Sequence, residues 1–88
     1  MREIKKLRQF MTIHPQLTPQ EQHMILHYIE KIETNQIPFE QARIQMINEL
    51  REASLASTLS ISGRKLLSTL QRKEWLFGLL SQMPFSHH

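Results

Sequence analysis

The stretch TPQEQHMILHYIEKIETNQIPFEQARIQMINEL, residues 18–50, decides the fold. Its first four residues are a helix start with a mechanism. Thr18 supplies a hydroxyl N-cap, Pro19 takes the first helical position, where a missing N–H costs nothing, and Glu21 stands where its carboxylate can reach back to the cap amide. Met24, Ile25, Tyr28, Ile29 and Ile32 then form the stripe of a helix packed on others, ending near Asn35. The pattern restarts at Pro38, and Phe39, Ala42, Met46, Leu50 and Ala53 share one side with Ile47 at its edge. So short a connection makes the two helices antiparallel neighbours.

Working outward, Ile4, Leu7 and Met11 fall at i, i+3 and i+7 with Phe10 beside them, predicting a first helix that His14 and Pro15 stop. From Ala53 to Ser62 the chain turns to Ser, Ala, Thr and Leu. Such residues compete for backbone hydrogen bonds and favour a helix end and a turn near Ser57 to Ser62. Ser62 is the expected cap of a fourth helix running through Leu66, Leu67, Leu70 and Phe77 to about Gln82, with Pro84 closing it. The expectation is one domain over residues 1–88, with helices at about 3–13, 18–35, 38–56 and 62–82. Its class is all-α, an antiparallel up-and-down four-helix bundle.

Composition agrees: Val, Asp and Cys are absent, all eight acids are Glu, and only two Gly occur. Strands would lack their usual residues, and without cysteine neither a disulfide nor a thiolate metal site can form, so packing must supply stability. A chain of 88 residues leaves little room for a large catalytic cleft. The N-terminus is basic but interrupts its apolar residues with charges, unlike a signal peptide. The longest apolar-dominated stretch, Trp75 to Phe85, is about half of the roughly 20 residues that span a bilayer. These features predict a cytoplasmic chain, with peripheral contact at the inner face of the membrane open to it.

Enzyme signatures are missing: there is no Gly-rich phosphate loop, no Cys nucleophile and no Gly-x-Ser-x-Gly turn. No catalysis, cofactor or metal is expected. His23 and His27 have the i, i+4 spacing of metal ligands, with His14 upstream as a third. They lie away from the isoleucine stripe, and no acid directly follows His23, so a solvated face is the expectation. The net charge of +3 is uneven. Arg2, Lys5, Lys6 and Arg8 cluster at one end, and Arg64, Lys65, Arg72 and Lys73 at the other. Such clusters could meet phosphates, and helices three and four could frame a helix-turn-helix. The interleaved aromatics that stack bases are lacking, however, and Leu66, Leu67 and Leu70 belong to a core, so nucleic acid is the weaker reading.

Beyond Arg72, Trp75, Leu76, Phe77, Gly78, Leu79 and Leu80, with Met83 and Phe85 further on, would point in every direction on a helix. One packed face cannot bury them all. Two readings stay open: the buried end of helix four with a folded-back tail, or a docking surface made of Arg72, Lys73, Trp75, Leu76, Leu79, Met83 and Phe85. A homodimer or adaptor formed through the same segment is a third.

In order along the chain come Asn35-Gln36, Pro38, Gln41-Ala42-Arg43, Asn48 to Leu50, Leu55, and Leu59-Ser60-Ile61-Ser62 before a leucine-rich helix. Over residues 4 to 77 this pattern resembles the immunity proteins of pediocin-like bacteriocins. The resemblance implies a left-turning antiparallel four-helix bundle in the cytosol of a lactic acid or related Gram-positive bacterium, protecting the producer from its own pore-forming peptide without catalysis. It further implies a membrane partner, the mannose phosphotransferase permease that serves as the bacteriocin receptor, and a C-terminal half that carries specificity. The short first helix and the few residues after Gln82 depart from many relatives.

Overall fold

The structure is a computed structural model that describes residues 2–72. Among these, four helices and no strand occur: α1 (Arg2–Ile13), α2 (Pro19–Glu33), α3 (Phe39–Leu55) and α4 (Ile61–Gln71). The chain is all-α, as its composition predicts. The connections, residues 14–18, 34–38 and 56–60, are short enough to turn the chain back on itself each time.

Local chemistry explains the helix boundaries. The Thr18 hydroxyl accepts the Glu21 amide at 3.1 Å, and the Glu21 carboxylate accepts the Thr18 amide at 2.9 Å, the reciprocal box read from the sequence. Asn35 and Ser57 end α2 and α3 with φ of 61°, the left-handed conformation of a helix-terminating residue. Past α2, the Gln36 amide bonds the Lys31 carbonyl at 2.9 Å and the Asn35 amide the Ile32 carbonyl at 3.0 Å. Past α3, Thr58 to Ala53 at 2.9 Å and Ser57 to Ser54 at 3.1 Å repeat that pattern.

The fourth helix differs from expectation at both ends. Ser60, not Ser62, is its N-cap: the Ser60 hydroxyl accepts the Gly63 amide at 2.9 Å, and Ser62, already inside the helix, is buried. The helix ends at Gln71, and Arg72 is extended (ψ 137°), so no unbroken helix runs from residue 62 to 82. Arg43 of α3 donates to the Leu70 carbonyl, occupying an acceptor that another turn would need. Residues 73–82 of the expected helix lie outside the described residues.

Two long-range bonds orient the helices. Glu21, at the start of α2, binds Ser60, at the start of α4, so these helices begin at the same end of the molecule. Arg43, in the first turns of α3, meets the last turn of α4, so α3 and α4 run in opposite directions. Packing is densest between α3 and α4, then between α2 and α3, then between α1 and α2, with the other pairs more lightly joined.

The core gathers the sequence stripes. Ile25, Ile29, Ala42, Met46, Leu50, Leu66 and Leu70 are essentially sealed, with Ile4 and Leu7 contributed by α1. Two connection residues that the periodicity does not flag, Leu17 and Leu59, are buried with them.

Candidate functional site

The seam between α1 (12 residues) and α4 (11 residues) is lined from both helices. It holds a groove of about 370 Å³. Leu7, Phe10 and Leu66 form its floor, while Lys6, Lys65 and Arg72 stand among its walls. Ile13, nine residues from Ile4 and so on the opposite side of an ideal helix, lines the same groove and is 70% exposed. The His14 ring lies 4.1 Å from that of Phe10, centroid to centroid, and extends the apolar wall. Among the described residues no carboxylate lines the groove. An apolar floor beneath three cations suits an amphipathic partner with acidic or polar edges.

Of the residues expected to form a docking surface, Arg72 is on this groove. Lys73, Trp75, Leu76, Leu79, Met83 and Phe85 lie outside the described residues. Sequence reading missed Phe10, Ile13 and His14 as groove residues. The one available signal was Ile13, an isoleucine off the α1 stripe with no core face to join.

A second polar constellation is architectural. Glu21 is 6% exposed, and its carboxylate accepts from the Ser60 amide at 2.9 Å and the Ser60 hydroxyl at 2.6 Å, as well as from Thr18. Burial pushes its pKa up, but the Ser60 and Thr18 hydrogen bonds outweigh that and hold it below the ordinary value. A serine hydroxyl on a carboxylate suggests a nucleophile and base. Here the carboxylate is a weakened base, and the same hydroxyl is engaged as acceptor for Gly63, so the pair works as a clasp between α2 and α4.

Gly63 belongs to the clasp. A Cβ there would come within 2.5 Å of the Glu21 Oε2 and 2.6 Å of the Leu59 Cδ1, so only glycine lets α4 approach this closely. Elsewhere, the buried Tyr28 hydroxyl donates to Glu49, and burial, reinforced by that carboxylate, raises the phenol to about 12.

His23 and His27 are exposed and share an open cleft with Glu49. Among the described residues no group of three or more His or acidic side chains could hold a metal ion, so the i, i+4 histidines and His14 do not converge. Among the described residues no helix is long and apolar enough to cross a membrane. The chain matches no protein-family model, no curated protein and no solved structure.

Proposed function

We propose that this chain is a non-enzymatic immunity protein of the pediocin-like bacteriocin type, working from the cytosolic side of the membrane. Its partner on this reading is the peptide-bound receptor, the mannose phosphotransferase permease, met by the α1/α4 groove together with the residues from Arg72 to Phe85.

One observation supports the reading: residues from the stretches that carry the resemblance stand at the helix junctions, although Leu55 and Ile61 of the same pattern are exposed. Asn35 and Gln36 close α2, and Pro38 sits at the N-cap of α3. Ala42 lets α3 pack closely, and Arg43 caps α4. Leu59 plugs the core while Ser60 starts α4.

The test is expression in a sensitive strain, followed by challenge with a panel of pediocin-like peptides. Survival against at least one peptide is the expected result, and undiminished killing by every one contradicts the reading. A second reading draws on Lys6 and Lys65 meeting across one groove: a small regulator that binds nucleic-acid phosphates. It requires DNA retention that falls steeply with salt, and no retention at low salt removes it.

A further inference from the structure

We propose that the α1/α4 groove binds a single-chain anionic amphiphile, a medium-chain fatty acid, with its alkyl chain over Leu7, Phe10 and Leu66 and its carboxylate among Lys6, Lys65 and Arg72. The inference goes beyond the immunity reading and does not rest on it.

Volume decides what kind of molecule fits. A partner helix anchors through positions spread over about two turns, a cylinder about 11 Å long and about 10 Å across. Even half sunk it fills about 420 Å³, more than the groove's volume of about 370 Å³. The same space holds about a dozen water-sized groups at about 30 Å³ each, the size of an alkyl chain of about ten carbons with its head. A phospholipid brings a second chain and needs about twice that room.

Charge decides the head group. Lys6, Lys65 and Arg72 line the groove, and among the described residues none of the three is ion-paired and no carboxylate stands in the lining. Lys6 is half-buried, so its ammonium has already given up part of its hydration. An anion beside it gains Coulomb energy at a lower effective dielectric than open water allows. Ile13, 70% exposed on the same wall, is the apolar surface with most to gain from cover.

The test is calorimetric titration of the full-length protein with hexanoate, octanoate and decanoate, each below its micellar concentration. The expected result is one decanoate per chain, with affinity rising about two- to fourfold for each added methylene, the range for half to full burial at about 0.8 kcal/mol per CH₂. Decyltrimethylammonium, of equal length and opposite charge, should bind at least about tenfold more weakly. Ser68→Phe, which fills the groove from an exposed position on α4, should abolish binding. Lys6→Gln combined with Lys65→Gln should weaken it about three- to tenfold and leave the dependence on chain length intact. Ile61→Ser, at a 76% exposed isoleucine outside the groove lining, should change nothing.

No saturable binding of decanoate overturns the proposal. So does binding that ignores chain length, that survives Ser68→Phe in protein shown to be folded by circular dichroism, or that is as tight for the cationic amphiphile. Retention on anionic phospholipid vesicles with no binding of decanoate monomers overturns it too, and assigns the groove to a membrane surface. The measurement uses no bacteriocin. Decanoate binding without protection of cells would sink the immunity reading alone, and protection without decanoate binding would sink the fatty-acid site alone.

Discussion

At its N-terminus α4 is held by directed polar bonds, with the Glu21 carboxylate on Ser60 and Gly63 so close beneath it that a methyl group would not fit. One turn further, Lys65, Leu66 and Thr69 of the same helix face a groove of about 370 Å³ toward α1. The first region specifies geometry, because hydrogen bonds to a buried carboxylate tolerate little displacement. The second specifies only chemical character, an apolar floor with cations around it. Exacting polar contacts and an open apolar groove thus lie one turn apart on the same helix.

The largest effect should come from Leu66, which belongs to both regions as core residue and groove floor. Leu66→Ala is expected to cost about 2 to 5 kcal/mol, read by denaturant unfolding. A cost under about 1 kcal/mol would mean that the core does not close around α4.

Next comes the clasp itself. Glu21→Gln, which keeps size but removes the charge, is expected to cost about 1.5 to 3 kcal/mol. Its pH signature follows from the lowered pKa of the folded carboxylate. The native state binds the proton less readily than the unfolded chain, so the Glu21 contribution is complete above the ordinary value of 4.5 and is lost as pH falls through the folded value. Unfolding curves taken from pH 7 down to pH 3 should therefore converge for parent and Glu21→Gln. Parallel curves would deny Glu21 this role.

Gly63→Ala should destabilise by about 1 to 3 kcal/mol, although alanine is intrinsically the better helix former by about 1 kcal/mol. In a Glu21→Ala background the carboxylate is gone but the Leu59 Cδ1 remains 2.6 Å from the added methyl, so only part of that cost should vanish. A double-mutant cycle showing additivity would place the strain elsewhere. The smallest effect belongs to the groove: Ile13→Ser, at a largely exposed site, should change the stability of the bundle by less than about 0.5 kcal/mol. A larger loss would make the groove wall part of the core.

How much of this was legible in the sequence depends on how far apart the cooperating residues lie. The Thr18 and Glu21 box, the α2/α3 hairpin and the stripes of Ile25, Ile29, Met46 and Leu50 involve neighbours three, four or seven apart, and periodicity captures them. The second use of Glu21 was not legible. Its partner Ser60 is 39 positions away, and a capping carboxylate reads the same whether or not another helix arrives beside it. For the same reason the end of α4 was placed too late, because Arg43 reaches Leu70 across 27 positions. Ser62 was taken for the cap because it stands next to the leucine pattern, yet the geometry needs a hydroxyl three residues before the Gly63 amide, which is Ser60. The groove is lined by residues of α1 and α4 together, a property of neither alone. The sequence offered only its raw material: Ile13 off its stripe and lysines on both helices.

On the immunity reading proposed above, protection against bacteriocin, measured beside thermal stability in one variant set, tests the division between scaffold and groove most directly. Ile13→Ser and Lys65→Glu should lose protection while melting like the parent, and Gly63→Ala should melt earlier yet still protect at temperatures where it is folded. Groove variants that protect as fully as the parent would contradict the account.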